Sequence, residues 1–235
     1  MFARCLLLLF FVSCASLCAQ DIYLKNPSMD NLKQFSDTVH KFAVKGNDSV
    51  LYRHSLNYLV KFFPNIELGR VKVTAGHSKK PFRVKPAFMS AWKSPEKRNY
   101  RIILSQRTHS LEDTVLPKYL NTASMLGFIA RPFGQIHDLS TDGFFDMIAW
   151  RLKHWSKKAM IKYEKENEQK LTENGLGYVL LALRADEENR LNPDSYESNP
   201  KKAKKAKRIL ARHISSDKIK LLISELPVHV SHQYK

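Results

Sequence analysis

Cysteine is nearly absent from this sequence of 235 residues: it has three, and all of them lie among the first 20 residues. The rest of the chain therefore has no disulfide framework and must be held together by apolar packing. Glycine, with 8 residues, is too scarce for a collagen-like chain. Acidic residues are also few, 22 against 39 Lys and Arg, and the net charge of +17 excludes an acidic protein and favours anionic surroundings.

The longest apolar run stands at the start of the chain. Arg4 precedes an apolar stretch over residues 5–12, and small residues dominate positions 13–19. This order predicts a secretory signal peptide over 1–19, with cleavage after Ala19 or Ala15 and with lipidation of Cys14 or Cys18 as the alternative. We therefore expect an exported protein of the periplasm or cell envelope, or one secreted to the medium, without nucleic acid as a partner. No later segment is long enough for a transmembrane helix.

Hydrophobic spacing predicts two helices and then a small sheet. The helices are expected over 28–45 and from Ser49 to Phe63. Alternating or clustered apolar residues at Val71–Val73 and Tyr100–Leu104 indicate strands, in a sheet that has room for a third. In the Lys- and Pro-rich segment between them, Phe88 and Trp92 are the expected anchors.

The remainder of the chain is typical of helices joined by short breaks. They are expected over 123–138, 142–155, 157–174, 178–191, 201–213 and 217–226. The first of these helices is expected to pack on the sheet, with Ile129, Phe133 and Ile136 buried on the shared face. A sheet early in the chain and helices late in it predict an α+β fold.

The domain organisation follows from these elements. After the signal peptide we expect a single domain over 20–235, with N-terminal helices at 20–64, a core at 65–226 and a polar tail at 227–235.

The segment from Gly127 to Asp138, GFIARPFGQIHD, carries the most informative pattern. It resembles the active-site helix of zincin-like metallopeptidases, in which H-E-x-x-H follows a Gly and apolar residues and precedes an Asp. Tyr163–Glu168 is similar to that family's aromatic and E-x-x-x-D motif, and Asn174–Tyr178 to its Gly-Leu-Gly-aromatic step. The resemblance covers residues 65 to 225 and implies a zincin-like fold with a small early sheet packed on a mostly helical C-terminal part.

The residues that bind zinc and activate water in that family are replaced here. Arg131, Pro132 and Gln135 stand at the positions of the His, Glu and His of H-E-x-x-H. A guanidinium is a fixed cation and does not ligate zinc, and proline offers no general base. The resemblance therefore implies a vestigial site without catalytic residues and without a metal, formed by Arg131, Pro132, Gln135, Asp138, Glu164 and Glu168.

These replacements predict a specific ion pair. In the active relatives a zinc ion neutralises the carboxylate at the position of Glu164. Without zinc that carboxylate needs another partner, since a buried unpaired charge is costly. Arg131 is long enough to reach the place of the metal, so we expect it to pair with Glu164 directly or through Gln135. The leading hypothesis is a non-catalytic zincin-like envelope protein that binds a peptide or protein partner.

A second alignment register leaves a metal-dependent alternative open. His137-Asp138-Leu139-Ser140-Thr141 aligns with H-E-x-x-H with Asp for Glu and Thr for the second His. In this register His137 and Glu164 bind zinc with an unconventional third ligand, and the protein is an active metal-dependent peptidase or hydrolase.

The densest basic run suggests a third hypothesis, a basic structural protein associated with the envelope. Its cations lie on a predicted helix with a modest packing stripe at Ala203, Ala206 and Ile209. Such a helix suits an anionic surface of lipid or polysaccharide. The residues concerned are Lys201, Lys202, Lys204, Lys205, Lys207 and Arg208.

Overall fold

The computed structural model describes residues 27–33, 49–63, 66, 70–78, 80–87, 90–108, 110–153 and 156–226. The predicted signal peptide and the predicted tail lie outside these residues. Most of the predicted first helix lies outside them as well, and its described part is α1 (Met29–Lys33).

The second N-terminal helix, α2 (Ser49–Val60), packs against the rest of the molecule with one face. Leu56 and Leu59 are fully buried, and Phe63 continues the same apolar surface just after the helix. The ring of Phe63 lies 5.9 Å from that of Phe133, centroid to centroid. The predicted helix is confirmed, and it joins the main hydrophobic core.

The sheet has three strands, β1 (Val71–His77), β2 (Phe82–Pro86) and β3 (Tyr100–Arg107), in the order β1-β3-β2. β3 runs parallel to β1 and antiparallel to β2. The predicted small sheet is confirmed.

Burial alternates along the sheet, because successive side chains of a strand point to opposite faces. Val71 and Val73 of β1 and Ile102 and Leu104 of β3 are buried. The expectation that Trp92 anchors the segment between the strands is wrong, since its side chain is 71% exposed. Phe88 lies outside the described residues.

Helix α3 (Thr122–Thr141) is the centre of the fold. Asn121 caps its start by accepting a hydrogen bond from the Ser124 N–H. As predicted from the sequence, Ile129, Phe133 and Ile136 are buried, each with 0% exposure. Pro132 lies inside the helix without ending it.

The C-terminal end of α3 is held by the β3 region. Arg98, which is 1% exposed, donates through Nη1 to the carbonyl oxygens of Leu139 and Asp142, at 3.1 and 2.6 Å. The Tyr100 hydroxyl donates to the same Leu139 carbonyl at 3.0 Å. These donors satisfy carbonyl groups that have no partner inside a helix, and the cation suits the negative end of the helix dipole.

The helices that follow are α4 (Phe144–Lys153), α5 (Lys157–Leu171), α6 (Gly177–Arg190), α7 (Pro200–Leu210) and α8 (Ser216–Glu225). Single 3-10 turns occur at Pro95–Lys97, Leu111–Val115, Pro117–Tyr119 and Pro193–Tyr196.

A π-helical turn, Thr172–Leu176, joins α5 to α6. Gly175 has φ 96° there, a left-handed conformation that glycine adopts without steric cost. The chain stops and restarts its helix at this point, as the sequence predicts, and α6 returns along α3. The architecture is α+β and mostly helical, with α3 lying between the sheet, α2, α5 and α6. Within the described residues, no helix has the length and apolar character needed to cross a bilayer.

Candidate functional site

Two glycines on one face of α3 let the neighbouring helices come close. Gly127, Arg131 and Gly134 follow each other at intervals of four and three residues and so share a face. A Cβ atom at Gly127 would collide with the Val179 carbonyl oxygen of α6, and one at Gly134 with Asn167 Oδ1 of α5. The side chain between these two glycines, Arg131, therefore enters the space between three helices.

The guanidinium of Arg131 binds two buried carboxylates. Its Nε lies 2.7 Å from Glu168 Oε1 of α5, and its two terminal nitrogens donate to Glu187 of α6 at 2.5 and 3.0 Å. The side chains of Arg131, Glu168 and Glu187 are only 6%, 2% and 5% exposed. Asn167 Nδ2 also donates to the Arg131 carbonyl oxygen at 3.1 Å. One cation thus cross-links α3, α5 and α6.

Two further side chains and one backbone N–H complete the partners of both carboxylates. Arg184 Nη1 lies 3.2 Å from Glu187 Oε2, and His213 Nδ1 lies 2.6 Å from Glu168 Oε1. The Ile214 N–H donates to Glu168 Oε2 at 2.9 Å, which ties the segment before α8 to α5. We name the set the inner cluster: Arg131, Glu168, Arg184, Glu187 and His213.

Arg131, Glu168 and Glu187 of the inner cluster stay charged although they are buried. Burial alone would raise the pKa of Glu187, but the charges of Arg131, His213 and Arg184 lower it to about 2. Burial opposes ionisation of Glu168 too, and Arg131 and His213 hold its pKa below the ordinary value. The pKa of Arg131 is raised, because Glu168 and Glu187 outweigh the effect of its burial. The carboxylates are therefore fixed anions at neutral pH.

The predicted pair of Arg131 with Glu164 is wrong. Glu164 Oε2 and Oε1 accept from Nε and Nη2 of Arg212 at 3.1 and 3.2 Å. Arg212 Nη1 also donates to Glu112 at 2.9 Å. Glu164 lies one helical turn before Glu168 on α5, where the chain after α7 brings Arg212 to it. We name Arg212, Glu164 and Glu112 the outer cluster.

The other residues of the predicted vestigial site have separate surroundings. Asp138 accepts from the Tyr163 hydroxyl and from Lys170 Nζ, both at 3.1 Å. Pro132 is buried within α3, and Gln135 is half-buried one turn beyond Arg131. Among the six predicted positions, the structure thus forms one ion pair, between Arg131 and Glu168.

The alternative metal ligands lie in different environments. The ring of His137 lies 5.8 Å from that of Phe63, centroid to centroid, and His137 Nδ1 is buried without a hydrogen-bond partner among the described residues. Glu164, the other proposed ligand, has both oxygens bound by Arg212. In the described part of the chain, no three His, Cys, Asp or Glu side chains are grouped so that they could hold a metal ion.

The basic run forms most of α7 and has a polar and an apolar side, as predicted. Ala206 and Ile209 pack with Val115 and Leu191 in a small second core. Lys205 is half-buried, and the other cations of the run are exposed: Lys201, Lys202, Lys204, Lys207 and Arg208. The exposed side of α7 is therefore a strongly cationic surface.

Comparisons of the chain with protein-family models, curated proteins and solved structures found no match.

The arrangement of the inner cluster is suited to holding helices together rather than to reaction chemistry. Its carboxylates are buried, ionised and bound on both oxygens, so neither is available as a general base at neutral pH. Sequence reasoning missed Glu187, Arg184, Arg212 and His213. Arg184 and Glu187 stand three residues apart, a spacing typical of surface pairs on any exposed helix, so the sequence carries no signal that they are buried.

Proposed function

We propose that this protein is a non-catalytic, zincin-like scaffold of the cell envelope that binds a peptide or protein partner. The observation that carries the proposal is the buried guanidinium of Arg131, at the position that matches the first His of the family's motif. It binds Glu168, which matches the last residue of the second motif, and links the helices that bear the two motifs. A permanent cation thus provides the cross-link that a metal provides in active relatives.

The donor set at these positions does not fit a zinc ion. Zinc binds neutral imidazole, thiolate or carboxylate, and a guanidinium offers no lone pair to it. Both oxygens of Glu168 are bound, by Arg131 and His213 on one side and by the Ile214 N–H on the other. A dication placed there would also be repelled by Arg131.

A zinc titration of the purified protein tests the non-catalytic role. We expect no stoichiometric zinc by elemental analysis after dialysis, no rise in the unfolding midpoint with added zinc, and no chelator-sensitive cleavage of a peptide library. His137→Ala and Glu164→Gln should leave all three readouts unchanged. One zinc per chain that disappears in both variants would contradict the proposal and favour the metal-dependent hydrolase.

A peptide display experiment tests the binding role. Gln135, half-buried on α3, is outside both ion-pair clusters, so Gln135→Ala spares the charges that hold the fold. Peptides selected on the wild-type protein should bind this variant more weakly. Glu166→Gln, at an exposed position of α5, is the matched control and should bind them unchanged. Selection that yields no binding peptide, or peptides indifferent to Gln135→Ala, would remove this role for α3.

A further inference from the structure

Helix α4 carries large apolar side chains on its solvent side. Phe145, Ile148 and Leu152 are 81%, 42% and 61% exposed. They follow each other at intervals of three and four residues, so they form one stripe along the helix. Met147 packs half-buried against the main core and attaches the helix to the domain. The helix predicted around these residues is present, but the structure places this stripe at the surface.

Such a stripe is unusual for a surface helix. Single exposed apolar side chains are normal, whereas several together on one face indicate an interaction site. In the described part of the chain, six large apolar side chains are exposed, and three of them belong to this ten-residue helix.

The described charges that follow the C-terminal end of the stripe are positive. Lys157 and Lys158 begin α5, four positions after the last residue of α4, and both are exposed. The described acidic side chain of α4, Asp146, lies at the opposite end, where it accepts a hydrogen bond from the Gly143 N–H. The whole chain has a net charge of +17, which attracts it to anionic surfaces at long range.

We propose that α4 is the docking surface of this protein for an anionic lipid bilayer. Phe145, Ile148 and Leu152 enter the boundary between headgroups and acyl chains, and Lys157 and Lys158 bind lipid phosphates. An amphipathic helix with apolar side chains on one face and flanking lysines binds membranes in this way, lying in the plane of the surface.

A bilayer accounts for this surface better than a protein partner does. Lysine is depleted in protein–protein interfaces, whereas next to an apolar stripe it strengthens binding to anionic lipid. Helix α7 itself carries no exposed large apolar side chain, so it can attract an anionic membrane but has none of its own to insert. The proposal uses neither cluster of ion pairs and is independent of the proposed function.

Sedimentation with lipid vesicles tests the proposal. The wild-type protein should bind vesicles of equal parts phosphatidylglycerol and phosphatidylcholine, and bind pure phosphatidylcholine much more weakly. The triple variant Phe145→Ser, Ile148→Ser, Leu152→Ser should lower the partition coefficient about tenfold or more. Leu221→Ser, at a 55% exposed position on α8, is the matched control and should bind as the wild type does. An unchanged unfolding midpoint shows that the variants are folded.

Charge variants separate α4 from the basic helix. Lys157→Gln with Lys158→Gln should weaken binding about tenfold and reduce its salt dependence, and Lys204→Gln with Lys207→Gln on α7 should weaken it less. The proposal is overturned if the wild type does not bind the anionic vesicles, or if the triple serine variant binds them as well as the wild type does. A dimer in light scattering that the triple variant abolishes, without vesicle binding, would assign the stripe to a second copy of the chain.

Discussion

Two arginines of this protein each bind two carboxylates, one in the interior and the other near the surface. Arg131 binds Glu168 and Glu187 in the inner cluster, and its side chain is 6% exposed. Arg212 binds Glu164 and Glu112 in the outer cluster, and its side chain is 22% exposed. Each bridges two carboxylates on different elements, so the two clusters differ mainly in their access to water.

That difference determines what each cluster does for the fold. Water and salt screen the outer pairs and can solvate any member that loses its partner. The inner charges lack this compensation, so each depends on the others, and loss of one leaves a buried unpaired charge. The packing of α3, α5 and α6 therefore depends on three specific charged side chains of the inner cluster. The outer cluster only adds a further contact near the surface.

The largest loss of folding stability is expected for Arg131→Met. It leaves Glu168 and Glu187 without their main cation and should lower the free energy of unfolding by about 3 to 5 kcal/mol. Urea unfolding followed by circular dichroism measures it. Arg131→Lys keeps the charge but loses the bidentate contact, so its free energy of unfolding should lie between those of the wild type and Arg131→Met. A loss below about 1 kcal/mol in Arg131→Met would show that the inner cluster behaves as a surface pair does.

The second-largest loss of stability is expected on acidification, which protonates the carboxylates of the inner cluster. The pKa of Glu187 is about 2 in the fold against an ordinary value of 4.5. A lowered folded-state pKa stabilises the protein above the unfolded-state pKa, and this stabilisation is lost as the pH falls from 4.5 towards about 2.

The free energy of unfolding, measured at a series of pH values from about 6 down to about 2, tests this expected loss, because carboxylates titrate in about that range. Glu187→Gln should be less stable than the wild type at pH 6 and should lose less stability on acidification. Parallel pH curves for the two proteins would contradict the assignment of the acid response to Glu187.

A smaller effect is expected for Arg212→Met in the outer cluster. Glu164 and Glu112 remain near the surface and can be hydrated, so the free energy of unfolding should fall by about 1 kcal/mol. Added salt should shrink the difference between Arg212→Met and the wild type, and should leave the effect of Arg131→Met nearly unchanged. An Arg212→Met loss as large as that of Arg131→Met would remove the distinction between the clusters.

The smallest effect is expected for Glu166→Gln on α5. Glu166 Oε1 lies 3.7 Å from Lys162 Nζ, and the two side chains are 53% and 79% exposed. An exposed pair at this spacing contributes about 0.2 to 0.5 kcal/mol. The same unfolding measurement should show a change near its detection limit, and a loss above about 1 kcal/mol would mean that Glu166 has a buried partner in the folded protein.

Local sequence patterns were sufficient to predict most helices and strands of the described fold. The 3.6-residue spacing of Ile129, Phe133 and Ile136 predicted the buried face of α3, and the alternation at Val71–Val73 predicted β1. The exposure of Trp92 was not predictable, because an aromatic side chain is apolar whether or not the fold supplies a surface to cover it.

The candidate site was predictable only in part. The resemblance indicated that a buried carboxylate of this site needs a cation in place of zinc, and it pointed to Arg131 as that cation. It favoured Glu164 as the carboxylate, and the partners are Glu168 and Glu187. The choice between Glu164 and Glu168 depends on how α3 and α5 are offset along their axes, which no local pattern specifies.

The sequence by itself thus determined most of the described elements and the buried apolar face of α3. Only the tertiary structure decided which anions meet Arg131, because ion pairing acts over a few ångströms and Glu187 stands 56 positions away from Arg131 in the sequence. The close approach at Gly127 and Gly134 sets those distances, and the π turn with Gly175 returns α6 to bring Glu187 to Arg131. Periodicity reports which face of a helix is apolar, whereas the packing of helices against each other fixes which charges share that interior.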